Sequence, residues 1–162
     1  MQLTSPAFRD HAPMPPRYTA DGDDESPPLA WSEIPRGAKS LVLVVDDPDA
    51  PDPAHPETTW VHWVLVDLPA RDGELEAGAS RRSLPGNAHE GRNDWKRIGW
   101  GGPAPPIGRH RYVHTLYALD CAMPQLLHPT KAEVERAMHG HVLAEARLVG
   151  TYARRPHPGA AG

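Results

Sequence analysis

Residues Gly91–Asp120 read GRNDWKRIGWGGPAPPIGRHRYVHTLYALD, and the fold turns on this stretch. A loop rich in glycine and proline, Gly99 to Gly108, empties into an apolar, aromatic run that begins at His110. Gly99, Gly101, Gly102 and Gly108 allow positive φ and a close approach of backbone to a ligand. Pro103, Pro105 and Pro106 stiffen the same loop, so its shape is set before anything binds. From His110 to Leu119 the pattern is a strand that places His110, Tyr112 and His114 on one face, provided no bulge intervenes. A rigid loop of exposed N–H groups beside a histidine is the physics of a small anion pocket. The same residues also suit a plain long turn between strands.

Working outward, Thr58–Leu68 is a second core strand. Alternation puts Trp60, His62, Val64 and Val66 on one face and Val61, Trp63 and Leu65 on the other, both apolar. His62 therefore projects from a buried strand, either as a pocket group or as a core histidine bonded to backbone. Leu41–Val45 is apolar on both faces and belongs in a sheet interior. Asp46-Asp47-Pro48-Asp49-Ala50-Pro51 is expected to stop that strand and to leave carboxylates at its C-terminal end. Ser26–Trp31 reads as an extended segment ending in a short edge strand. Residues 70–90 read as loop, with Leu75 and Leu84 docking onto the sheet. Thr130-Lys131-Ala132-Glu133 is a capping box, after which Val134, Ala137, Met138 and His141 share one helical stripe closed by Gly140. Val142, Ala144, Ala146 and Leu148 alternate, which favours a closing strand over an extension of the helix. The reading is one β-rich α+β domain over residues 1–153 and a disordered tail over 154–162.

The totals narrow the function classes. The chain has 162 residues and a formal net charge of −4, with its basic residues dispersed. No basic stripe meets a phosphate backbone, which argues against nucleic acid as the main partner. Twenty prolines and fourteen glycines fall between apolar runs, so they are loop chemistry and not a disordered tract. The one cysteine, Cys121, allows no intrachain disulfide. The first residues lack a signal-peptide pattern, and no apolar run approaches the roughly 20 residues that span a bilayer. A soluble, cytoplasmic protein is expected.

Three elements can converge into a site: Asp47 and Asp49, His62, and the loop leading to His110 and Tyr112. A carboxylate beside an imidazole raises its pKa and makes a cationic donor near neutral pH. Two such histidines with loop N–H groups would hold a phosphate or carboxylate. A metal is not expected, because Asp47-Pro48-Asp49 fails the calcium-loop pattern and the histidines are scattered. No cofactor is expected either. A hydrolase lacks its nucleophile, since there is no G-x-S-x-G and Cys121 lies away from the site. Acid–base chemistry by an Asp–His pair on a small anionic substrate stays open as the alternative.

Several ordered motifs carry a family resemblance: DDPDAP, TTWVHWVL, GRNDW, GWGGPAPPIGRHRY and LYALD, flanked by YTADGDDESPPLAW and TKAEVERAMHGHVLAEARLVGTYAR. Together they resemble the phosphatidylethanolamine-binding protein family, and within it the bacterial YbhB/YbcL or Raf-kinase-inhibitor-like branch. The resemblance implies an antiparallel β-sandwich core with a few peripheral helices. It also implies a pocket at one end for phosphate, acetate or a phosphoethanolamine head group. Carried over by position, the pocket residues are Asp47, Asp49, Trp60, His62, Gly102, Pro103, Ala104, His110 and Tyr112, with none of them catalytic. Kinase or protease modulation and a homodimer are further expectations of the resemblance. Two departures stand out, since the bacterial pattern usually has tyrosine at Trp100 and glycine at Lys96. Lys96 and Arg97 add positive charge beside the loop.

Overall fold

The computed structural model describes residues 1–154; the tail expected to be disordered lies, beyond Arg154, outside the described residues. The apolar runs become four long strands: β4 (Ser40–Ala50), β5 (Thr58–Leu68), β8 (His110–Leu119) and β9 (Val142–Tyr152). With short edge strands β2 (Ala12–Pro13) and β7 (His89–Glu90), they form a sheet of order β2-β9-β8-β4-β5-β7. A second sheet has the order β1-β3-β6, from β1 (Gln2–Thr4), β3 (Leu29–Ser32) and β6 (Gly73–Leu75). The chain is mostly β, with one α-helix, α1 (Lys131–Met138), and a short 3-10 turn at Pro16–Tyr18 among the described residues. The pairings are antiparallel except β2 with β9, where Ala12 and Pro13 lie parallel to Gly150 and Thr151.

The large sheet is apolar on both faces because both are covered. Leu41, Leu43, Val45, Trp63, Leu65 and Leu116 pack with Leu3, Leu29, Trp31 and Leu75 of the small sheet. Val42, Val44, Val61, Val64 and Val66 pack on the opposite face with Met123 and with Val134 and Met138 of α1. Each such side chain, fully buried, contributes about 1.5–3 kcal/mol.

Four expectations about the strands change. β4 does not stop at Asp46 but runs on to Ala50. Its pairing with β8 ends at Asp46–Val113, so Pro48, which lacks an N–H, lies past the last β8 partner. β3 is the centre of its sheet, not an edge, because the prolines that suggested an edge precede the strand. Residues 70–90 contribute two short strands, β6 and β7. The alternation of β5 is broken: Val45 pairs with Trp63 and Asp46 with Val61, leaving His62 as the extra residue of a bulge. Val64 and Val66 therefore turn toward the helix side, away from His62.

The helix starts as read. Thr130 Oγ1 and the Glu133 carboxylate form the reciprocal capping box. The helix ends at Met138, and Gly140, at φ +81°, turns the chain into β9. His141 therefore lies beyond the helical stripe.

Candidate functional site

Alternation along β4 carries Asp47 and Asp49 onto the buried side already occupied by Val45. The register of β4 on β8 ends at Asp46–Val113, which brings Asp47 to the start of β8, beside Tyr112 and His110. His110 Nδ1 lies 2.6 Å from Asp47 Oδ2, and Asp47 Oδ1 accepts the Asp49 N–H at 2.8 Å. The other ring nitrogen, Nε2, lies 2.8 Å from the Ile107 carbonyl, which can only accept. Nε2 therefore carries a proton, and the Nδ1–Oδ2 contact holds one more between imidazole and carboxylate. Burial raises the Asp47 carboxyl above the ordinary range, against the pull of His110.

His62 differs from the expectation of a second cationic donor. No carboxylate pairs with it; its Nδ1 lies 2.6 Å from the Gly101 carbonyl. Burial lowers its pKa to about 4, so near neutral pH the ring is uncharged. Nδ1–H donates to Gly101, which leaves Nε2 as an acceptor. Tyr112 stacks on His110 and meets the His62 ring edge-on at 5.1 Å between centroids. Burial, reinforced by the Asp47 charge, raises the phenol, which stays a protonated donor.

These side chains line a cavity of about 180 Å³ at the end of the sandwich. Of the residues expected there, Asp47, Trp60, His62, Ala104, His110 and Tyr112 line it. Asp49 does not. It receives Arg111 through the backbone N–H, Nε and Nη2, at 3.0, 3.0 and 2.7 Å, and so clamps the start of β8 to β4. That pairing lowers the Asp49 pKa. Gly102 and Pro103 face elsewhere: the Gly102 N–H donates to Asp24, and the Pro103 carbonyl accepts from Ala20.

The first part of the loop, Gly99 to Gly102, does not offer the expected row of free N–H groups. Gly99 donates to the Gly91 carbonyl, Trp100 to Ser80 Oγ, Gly101 to the His62 carbonyl and Gly102 to Asp24. The loop's rigidity is made by consuming these donors, which leaves none of the four for a ligand.

Sequence reasoning missed Ala50, Pro51, Trp95, Pro105 and Pro106 as cavity wall. The Ala50–Pro51 bond is cis. Trp95 lies against Gly101, where a Cβ would come within 2.5 Å of the indole. Its ring also meets Trp60 and His62 edge-on, at 5.5 and 5.0 Å. The signal was a glycine in GWGG whose lack of a side chain admits the tryptophan of GRNDW. Among the described residues, the one His/Cys/Asp/Glu group close enough to share a metal ion is Asp120, Cys121 and His141, past the opposite end of β8. No helix among the described residues is long and apolar enough to cross a membrane.

A two-sheet sandwich with an aromatic pocket at one end, built on a buried Asp–His pair, defines the class of protein. A family model for phosphatidylethanolamine-binding protein matches residues 4–153. A UPF0098 protein of Methanothermobacter thermautotrophicus is 44% identical over 155 residues, covering 95% of this chain and 99% of its own. The crystal structure of a phosphatidylethanolamine-binding protein homologue from Chlamydia trachomatis matches with a TM-score of 0.87 and 40% identity, covering 95% of this chain and 97% of that one. The structure of E. coli YbcL, a member of the mammalian PEBP family, matches with a TM-score of 0.85 and 32% identity, covering 95% and 98%. The chain belongs to the phosphatidylethanolamine-binding protein family.

Proposed function

We propose that the chain binds a small phosphate- or carboxylate-bearing molecule that brings a proton donor of its own, the phosphoethanolamine head group being the simplest example. The observation that carries this reading is the neutral, accepting Nε2 of His62 together with the Asp47–His110 pair, whose Nδ1–Oδ2 contact shares one proton. A bare dianion would meet a carboxylate and an acceptor nitrogen. A monoprotonated phosphate, or a phosphate with an attached ammonium, supplies the hydrogen that His62 or Asp47 accepts. Tyr112 donates to its oxygen, and His110 does so on releasing the Ile107 carbonyl. Trp60, Trp95, Pro51 and Pro105 lower the local dielectric and strengthen each contact. Family membership supports a binding role.

Calorimetric titration with phosphoethanolamine, inorganic phosphate and acetate tests this on wild type, Tyr112→Phe and the double variant His62→Ala, His110→Ala, with circular dichroism to verify the folds. The expected order is phosphoethanolamine, then phosphate, then acetate, with binding weakened in Tyr112→Phe and lost in the double variant. Unchanged binding in a folded double variant would falsify the reading. A kinase or protease partner, if the pocket serves one, is released by the same soluble ligand in a pull-down. A homodimer is part of the same reading and is checked by sedimentation. The Asp47–His110 contact also favours a second reading, acid–base catalysis. It requires turnover that Asp47→Asn abolishes while binding persists.

A further inference from the structure

A second cavity, of about 500 Å³, adjoins the first. Trp95 and Ala104 line both, so one indole and one methyl form the partition. Trp95 is 38% exposed, which leaves a path over its rim.

The polar wall of the second cavity has the opposite electrostatic character. Arg81 and Arg97 line it, facing one carboxylate, Asp24. Both guanidinium charges act on the Asp24 carboxyl, which burial raises above the ordinary range. Asp24 Oδ1 already accepts the Gly102 N–H at 2.8 Å. Arg81 is held in place through Nη1, which donates to the carbonyls of Ile98 and Trp100 at 3.0 and 3.2 Å. Its remaining N–H groups are spare. Arg97 is positioned by its turn: Asn93 Oδ1 accepts the Arg97 N–H, and the Asn93 N–H donates to the Arg97 carbonyl. Lys96, in the same turn, lines neither cavity.

Trp100 adds a polar group to the same wall. Its indole lines this cavity and is 2% exposed, and Nε1 has no partner at full hydrogen-bond distance, its pull falling on the Asp24 carboxyl. A buried donor so weakly paired is open to a better-placed acceptor. Two cations against one reluctant carboxylate leave room for one further negative charge.

We infer that the second cavity is an anion subsite, in which Arg97 and Arg81 hold the phosphate or carboxylate at the far end of a two-headed ligand. The other head sits in the Asp47–His62–His110–Tyr112 pocket, and only that half of the inference rests on the function proposed above. Asp24 acts as an internal competitor for the same cations.

The test is calorimetry with 3-phosphonopropionate, which has two anionic heads, and propylphosphonate, which has one. Wild type is expected to bind the two-headed probe at least ~10-fold more tightly, the gain of one charge-assisted contact. Arg97→Gln, an exposed site, removes that gain and leaves propylphosphonate unchanged. Asp24→Asn enlarges the gain by removing the competitor. Equal affinities in wild type, or a gain that survives Arg97→Gln, overturn the inference. The two halves separate in the double variant His62→Ala, His110→Ala. If 3-phosphonopropionate binding persists there but is lost on Arg97→Gln, the second subsite stands and the first pocket does not. If neither probe binds wild type, both fail.

Discussion

His110 Nδ1 lies 2.6 Å from Asp47 Oδ2 with the two side chains 1% and 5% exposed. Neither charge has water to fall back on, so each residue is the condition for burying the other. His110→Ala is expected to cost about 3 kcal/mol at neutral pH by leaving a buried carboxylate alone. A carboxyl whose folded pKa is raised keeps its full contribution to stability below the unfolded value and loses it as pH rises through the folded one. The penalty of His110→Ala therefore shrinks on acidification. Urea denaturation at pH 7 and at pH 5 checks this; an equal penalty at both would show that the pair shares no proton.

His62 and His114 are both held at about 4 by burial, against an ordinary 6.5. A depressed folded pKa contributes stability above the unfolded value and loses it as pH falls through the folded one. The melting temperature should be level above about pH 6.5 and should fall steadily toward pH 4, each histidine withdrawing roughly 3 kcal/mol in full. His114→Leu should flatten part of that slope. A melting temperature insensitive to pH over this window would rule out buried neutral histidines.

Lys96 sits in a left-handed turn at φ +63°. That conformation costs a residue with a Cβ about 1 kcal/mol, and glycine nothing. The family resemblance drawn from the sequence implies glycine here, and a positive φ suits glycine. Lys96→Gly should stabilise slightly, by up to roughly 0.5 kcal/mol, the relief of strain outweighing the added freedom of the unfolded chain. It should leave affinity for every probe unchanged, because Lys96 lines neither cavity. A loss of stability in chemical denaturation would contradict this.

Glu90 is 6% exposed and accepts from Trp63 Nε1, Ser80 Oγ and the Arg81 N–H at 2.7, 2.6 and 2.6 Å. Ser80 Oγ in turn accepts the Trp100 N–H, so this carboxylate anchors the loop behind the second cavity. Glu90→Ala strands three donors and should cost more than about 3 kcal/mol. Glu90→Gln presents an amide to one of those donors and should cost about 1–2 kcal/mol. Chemical denaturation gives the order, and equal costs would mean that the acceptor oxygen glutamine retains contributes nothing there.

Much of the fold is legible in the chain because it depends on neighbours in sequence. The period of two from His110 to Ala118, the unbroken apolar run Leu41–Val45 and the capping box at Thr130 each need only a few adjacent residues. The family motifs identify Asp47, His62, His110 and Tyr112 for the same reason, as local patterns at fixed positions. What the sequence left undecided depends on distant partners. Whether Gly102 offers its N–H outward is settled by Asp24, 78 residues away. Whether Asp49 faces the cavity is settled by Arg111, 62 residues away. The bulge at His62 is a choice of register against β4, which no property of β5 alone contains. That choice, with the Gly101 carbonyl, turns an expected cation into a neutral acceptor. Periodicity and composition determine which residues are buried. Only the tertiary pairing of donors, acceptors and charges decides what each buried group has left to offer a ligand.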